Sequence, residues 1–246
     1  MKKEILIIAV SLISLLLIFQ FQNLEKKTET VLHEPETIPE NKGYIVKMLV
    51  PAVDSEGNGV VTTLLVEAKP GDGRVLTDIN HILFFVDTQN SIQIAKAVAE
   101  NITGVNTSKI DLMYAIETNA SAIGGPSAGA ALTVATVAVL ENKNLNSSVM
   151  ITGTIEPDGR IGPIGSVEEK AKASKEAGAL LFLVPQGQDI QTTYLLVKEC
   201  KKTGFWIYSQ RYCEIKYVAT ESEVNETGIK VKEVATIEEA LKYFLT

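Results

Sequence analysis

Between Ala128 and Leu140 the chain reads Ala-Gly-Ala-Ala-Leu-Thr-Val-Ala-Thr-Val-Ala-Val-Leu, with no charged side chain and no polar one larger than threonine. A helix that is apolar or small on every side offers no face to water. This segment is therefore expected to run through the centre of its domain, with other elements packed around it. That requirement dominates the fold, because the rest of the chain must supply enough apolar surface to enclose it.

Short elements of both kinds are available. Tyr44–Val53 reads as a strand, and the Val60–Ala68 run reads as its partner across the turn chemistry of Gly57-Asn58-Gly59. Pro70-Gly71-Asp72-Gly73 marks the next turn. Gln89–Asn101 reads as a helix with Ile92, Ala95, Ala99 and Ile102 on one side, and Ile110–Glu117 as a strand. Ser148–Thr152 and Leu180–Val184 are short apolar runs bounded by Gly or Pro, the pattern of interior strands. Asp189–Lys202 is amphipathic, Phe205–Ser209 reads as a strand, and Thr236–Phe244 as a closing helix with a Thr-x-x-Glu start. Interleaved strands and helices predict an α/β (α+β) domain with a mixed sheet.

The central helix is preceded by Gly124-Gly125-Pro126-Ser127-Ala128-Gly129. Serine is a favoured helix cap, and that role alone would account for Ser127. The same position suits catalysis. Amides at a helix start carry positive potential that would stabilise an oxyanion, and flanking glycines let a substrate backbone approach. The loop Gly124, Gly125, Pro126, Ala128 and Gly129 is therefore the candidate oxyanion and substrate site.

A lysine that looks misplaced follows 43 residues after Ser127. In the helix read from Val167, the residues Val167, Lys170, Ala171, Ser174, Ala177 and Gly178 share one face, while Glu168, Glu169, Lys172, Lys175 and Glu176 fall on the other. Lys170 is the only charge on the side predicted to be buried. A lone lysine is ordinarily a solvated surface charge. Burial, and a place in the first turn of a helix begun by a Ser166-x-x-Glu169 capping box, both disfavour the ammonium form. A neutral amine beside a serine hydroxyl is a base beside a nucleophile. The two acidic neighbours are expected to point away.

Other chemistries lack parts. His33 and His81 are the only histidines, and nothing in the sequence places a Ser-His-Asp triad on His81. No His-Glu-x-x-His or Cys/His cluster is present, so no metal is expected. No Gly-x-x-x-x-Gly-Lys-Ser/Thr occurs, so no nucleotide or other cofactor is expected. The formal net charge is −7, with no basic patch, which argues against nucleic acid.

The residues Gly125-Pro126-Ser127-Ala128-Gly129, Ile151-Thr152-Gly153-Thr154-Ile155, Gly159-Arg160-Ile161-Gly162-Pro163-Ile164-Gly165 and Glu169-Lys170 are, in this order and spacing, similar to the proteolytic domain of the Lon protease family. The resemblance covers roughly residues 43–246 and is densest from Gly124 to Ala177. It implies a Ser-Lys dyad, with Ser127 as nucleophile and Lys170 as general base. It also implies that the Thr152 hydroxyl helps to orient the lysine amine; an ordinary strand threonine is the plainer reading. Polypeptide substrates and a homo-oligomeric ring, usually sixfold, are implied as well. The chain departs from full-length Lon in three ways. It shows neither the ATPase module nor the N-terminal substrate-binding module, it has an apolar N-terminal segment instead, and Gly124 stands where many relatives have an acidic residue.

That N-terminal segment runs from Ile5 to Phe21, broken only by Ser11, Ser14 and Gln20. Its length is near the lower limit for a membrane span, and no small-x-small cleavage site follows. Residues 1–22 are therefore expected to be an uncleaved membrane anchor, with a cleaved signal and a buried soluble helix as the alternatives. Residues 23–42 are read as a charged tether and 43–246 as the folded domain. Lysines flank the span on both sides, so charge does not orient it. A short N-terminal tail, and five Asn-x-Ser/Thr patterns at Asn101, Asn106, Asn119, Asn146 and Asn225, favour an extracytoplasmic domain. Cys200 and Cys213 are either two core thiols or one disulfide. The overall expectation is an ATP-independent, membrane-anchored serine endopeptidase acting on unfolded or damaged polypeptides. The alternative is a non-catalytic, membrane-tethered binding or assembly module on the same fold.

Overall fold

The computed structural model describes residues 43–78, 86–118, 125–205 and 208–245. The Ile5–Phe21 run, the tether, both histidines, Asn119 and Gly124 lie outside the described residues. No described helix is long and apolar enough to cross a membrane.

Chain order runs β1 (Tyr44–Val53), β2 (Gly59–Pro70), β3 (Val75–Thr77), α1 (Val86–Thr103), β4 (Ile110–Glu117), α2 (Gly129–Leu140), β5 (Val149–Ile151), β6 (Thr154–Ile155), β7 (Ile161–Gly162), α3 (Val167–Glu176), β8 (Leu181–Pro185), β9 (Ile190–Phe205), β10 (Tyr208–Glu223), β11 (Lys230–Val234) and α4 (Ile237–Phe244). The first sheet has the order β1-β2-β4-β3, antiparallel except where β3 joins β4 in parallel. It is the mixed sheet expected from the interleaved pattern. A second sheet, β11-β8-β5, is wholly parallel, and its middle strand β8 has both neighbours. Such strands read as continuous apolar runs because both faces are covered.

Helix α2 fills the position its composition demands. All twelve of its residues are buried, and it packs against α1, β1, β2 and α4. Its two threonines are satisfied internally: Thr133 Oγ1 donates to the Gly129 carbonyl at 2.8 Å, and Thr136 Oγ1 to the Leu132 carbonyl at 2.7 Å. The Tyr114 hydroxyl shares a further bond with Thr136 at 2.9 Å, so the buried helix carries no orphaned hydroxyl.

Turn chemistry behaves as the residues predict at both ends of the domain. The Asp54 carboxylate accepts from the amides of Glu56 and Asn58 and closes the β1–β2 hairpin. Thr236 Oγ1 accepts from the Glu239 amide at 3.3 Å and starts α4. Two segments are refined and one expectation fails. Asp189–Lys202, read only as amphipathic, is mostly the strand β9, in a two-stranded ribbon with β10. In the Phe205–Ser209 run, Phe205 ends β9 and Tyr208 and Ser209 begin β10, while residues 206–207 lie outside the described residues. Finally, Ser166 takes a left-handed conformation, φ 56, with no side-chain cap bond, so the predicted capping box does not form. Within the ribbon Cys200 and Cys213 sit opposite each other and are joined in a disulfide.

Candidate active site

The site forms where α2 begins. Gly125 has φ +102, a left-handed value that favours glycine, and it turns the chain into a single 3-10 turn over Pro126–Ala128. Helix α2 then starts at Gly129, one residue later than the sequence suggests. Glycine is required there on packing grounds. A Cβ at Gly129 would lie 2.6 Å from Ile155 Cγ2 and 2.8 Å from the Ile155 amide nitrogen. The close approach clamps the start of α2 against β6. Three backbone bonds tighten it: Gly129 N–H donates to Pro126, Ala130 N–H to Gly153 at 3.0 Å, and Gly153 N–H to Ser127 at 2.9 Å. The amides of Gly129 and Ala130 therefore already have acceptors. The candidate oxyanion donors narrow to the Ser127–Ala128 end of the turn.

Lys170 reaches this point from α3. Val167, Lys170, Ala171 and Ser174 are buried as expected, Ala173 joins them, and Ala177 and Gly178 are exposed beyond the helix end. Only 3% of the Lys170 surface is accessible, and Nζ lies 3.0 Å from Ser127 Oγ in a hydrogen bond. Burial pushes the amine down from the 10.5 of a solvated lysine to about 8, against the opposing charge of Glu169. Glu169 thus does not point away as expected. It is half-buried, and its Oε2 has no hydrogen-bond partner among the described residues. Desolvation still outweighs it, since the carboxylate makes no direct ion pair with Nζ.

Thr152 is fully buried beside the pair. Its hydroxyl donates to the Ser127 carbonyl at 3.3 Å, and its amide to Leu183 on β8. It therefore ties the Ser127 backbone to the parallel sheet, and its hydroxyl bond goes to the serine carbonyl and not to the lysine amine. Ser127, Lys170, Gly125 and Pro126 line a cleft of about 510 Å³ together with Thr154, Pro163, Ile164 and Gly165. Ala128 and Gly129 do not line it, and the latter is buried. Sequence reading did not single out Thr154, Pro163, Ile164 or Gly165 as site residues. The Gly162-Pro163-Ile164-Gly165 run, with its turn composition just ahead of a helix, was the available signal. Among the described residues no group of three His, Cys, Asp or Glu side chains gathers to hold a metal.

A solvent-poor amine whose pKa is lowered to about 8, in contact with a hydroxyl at the floor of an open cleft, can accept that hydroxyl's proton once it is neutral. Comparison with known proteins supports a serine peptidase. Residues 64–202 match the Lon protease (S16) C-terminal proteolytic domain. A Lon protease of Phenylobacterium zucineum is 33% identical over 128 residues, which is 50% of this chain and 16% of that protein. An archaeal Lon protease of Thermoplasma volcanium is 27% identical over 133 residues, 54% of this chain and 20% of that protein. The chain thus spans a sixth to a fifth of the length of these curated relatives. With more than half of its residues in the match, the chain belongs to the Lon protease (S16) C-terminal proteolytic domain family.

Proposed function

We propose that the protein is a Lon-type serine endopeptidase in which Ser127 is the nucleophile and Lys170 the general base. The observation that carries this reading is the 3.0 Å contact between Ser127 Oγ and a lysine that is 3% exposed. With the amine neutral, the serine O–H donates to the Nζ lone pair. Oγ attacks the scissile carbonyl, Nζ takes the hydroxyl proton, and the resulting ammonium gives a proton to the departing amine. Water then cleaves the acyl-enzyme by the same proton relay in reverse. Thr152 supports the step by fixing the Ser127 carbonyl. The left-handed Gly125 leaves space at the mouth, and the amides nearest Ser127 are the donors for the oxyanion.

The substrates are unfolded or damaged polypeptides, cleaved without ATP. The enzyme works as a homo-oligomeric ring, by analogy with its family, and is tethered through the Ile5–Phe21 run with its catalytic domain outside the cytoplasm. The Cys200–Cys213 disulfide and the five glycosylation-type patterns support the outward orientation. Casein degradation and labelling by a serine-directed phosphonate test the chemistry. Wild type is expected to degrade casein and to label, and Ser127→Ala to do neither. An unlabelled wild type would leave the non-catalytic assembly module as the reading. Casein turnover that needs ATP, or a domain shielded from added protease on intact cells, would overturn the corresponding part.

A further inference from the structure

One wall of the cleft is the segment Pro163-Ile164-Gly165, which lines it with Ser127 and Lys170. This segment belongs to no strand. Pro163 has no amide hydrogen, and Ser166 just beyond has the strained φ of 56. Such a stretch has no ladder to hold it, yet one side chain supplies what a neighbouring strand would. Gln188 Oε1 accepts from the Ile164 N–H at 2.9 Å, and Gln188 Nε2 donates to the Ile164 carbonyl at 2.7 Å. A primary amide carries one acceptor and donors in the same planar arrangement as a peptide group, so it can satisfy both main-chain groups of one residue.

Gln188 is itself held in place. It ends a four-residue turn from Pro185, whose carbonyl accepts the Gln188 N–H at 3.2 Å, and Gly187 in that turn has φ 79. Glu233 on β11 accepts from the Gly187 amide at 2.5 Å and from the Asp189 amide at 3.5 Å. The turn is thus pinned to the parallel sheet on both sides of Gln188. A continuous set of contacts runs from β11 through this turn to the wall of the cleft.

We infer that Gln188 is a positioning residue for substrate: its amide clasp on Ile164 fixes the wall against which the peptide lies, without touching the reacting atoms. This rests on the cleft being the peptide site proposed above. Substrate main chain then meets a preformed surface, so the ordering cost of the wall is not incurred on binding. Loss of the clasp should weaken peptide binding and leave the Ser127–Lys170 pair working.

The test compares wild type, Gln188→Met, which has similar length and neither hydrogen-bonding group, and Gln188→Glu, which keeps the acceptor and loses the donor. With a fluorogenic peptide derived from casein, Gln188→Met is expected to raise KM roughly tenfold, the scale of one to two lost hydrogen bonds. Its kcat should change by less than about threefold, and the pH midpoint of kcat should not move. Gln188→Glu is expected to fall between. A matched series in the Ser127→Ala background measures binding of the same peptide by fluorescence anisotropy, which does not depend on turnover. An unchanged KM and an unchanged affinity in Gln188→Met would overturn the inference, even if the melting temperature falls, because that pattern is purely structural. Absence of peptide binding by the Ser127→Ala protein would overturn it as well. If wild type is inert while anisotropy shows the tenfold loss, the catalytic reading fails and the clasp stands.

Discussion

Helix α3 and the β9–β10 ribbon each hold side chains in surroundings that do not suit them, in opposite senses. Helix α3 buries a lysine, with 3% of Lys170 accessible, whereas the ribbon exposes Leu196 at 63%, Ile215 at 67% and Tyr217 at 73%. Register places Leu196 opposite Tyr217, and Cys200 opposite Cys213, so the exposed residues and the disulfide share one face. Surroundings explain the contrast. Helix α3 packs against β1, β2 and β8, while β9 and β10 pair only with each other. Burial here is imposed by the number of neighbouring elements and not by residue type. The two exceptions also differ in cost. An exposed apolar side chain is common, but a buried, unpaired ammonium is expensive and persists only where the amine can become neutral. The family match ends at residue 202, inside the ribbon, so all of β10 lies outside the part of the chain aligned with the family.

The comparison breaks most sharply at the dyad. Ser127→Ala and Lys170→Ala are each expected to reduce peptide hydrolysis by roughly 10³-fold or more, with the melting temperature of the serine variant unchanged. Lys170→Arg should fail equally, because a guanidinium cannot serve as a base near neutral pH. Steady-state kinetics on purified protein decide it, and most of the activity surviving in Lys170→Arg would remove the dyad.

The buried amine also sets a pH dependence that no residue of the ribbon should share. The rate of acylation is expected to rise with pH and level off above about 8, where Lys170 is neutral, and to fall about tenfold per pH unit below it. Stability should follow the same sign. The folded protein binds fewer protons than the unfolded chain between about 8 and 10.5, so this contribution is complete above 10.5 and is lost as pH drops through 8. Denaturant titrations at pH 7 and pH 9.5, in wild type and Lys170→Met, measure it. An equal pH effect in both proteins would assign the change to other groups.

A smaller effect tests the clamp beneath the serine. Gly129→Ala places a methyl within 2.6 Å of Ile155 Cγ2 and should destabilise the fold by about 1–3 kcal/mol. Its kcat should fall more than its KM rises, since the clamp positions Ser127 rather than the cleft wall. Chemical denaturation and kinetics on the same sample read both quantities.

The smallest expected effect is in the ribbon. Replacing Cys200 and Cys213 together by serine should shift global stability by less than about 0.5 kcal/mol, as for a surface change, while accelerating amide exchange within β9 and β10 alone. A global loss near 3 kcal/mol, the scale expected for a closed loop of this length, would show that the ribbon unfolds together with the core and would erase the distinction between the two regions.

Much of this architecture was legible from local patterns. The uncharged run from Ala128 to Leu140 required a central helix, and that requirement holds because a buried polar side chain without a partner is penalised anywhere in a sequence. The strands Tyr44–Val53 and Ile110–Glu117 were legible because alternation and turn residues are local signals. Lys170 was legible because one charge on an otherwise apolar face has few explanations. Four other features were decided only by packing. Ser166 gave up its cap because the chain there must turn sharply from the cleft wall into α3, and Glu169 was drawn under the β1–β2 hairpin, where a Cβ at Gly59 would meet its carbonyl oxygen at 2.1 Å. Asp189–Lys202 formed a strand because β10 was available to pair with it, a fact about residues about 20 positions away that no short window contains. Gln188 and Ile164 are 24 residues apart and join through an amide clasp. Their pairing depends on where β8 and β11 place a turn, which is a property of the assembled sheet. The sequence therefore determined which residues had to be buried and which chemistry a buried lysine beside a serine could perform. The tertiary structure decided which backbone groups were left for substrate, because hydrogen bonds between distant segments are settled only when the sheets and helices have packed.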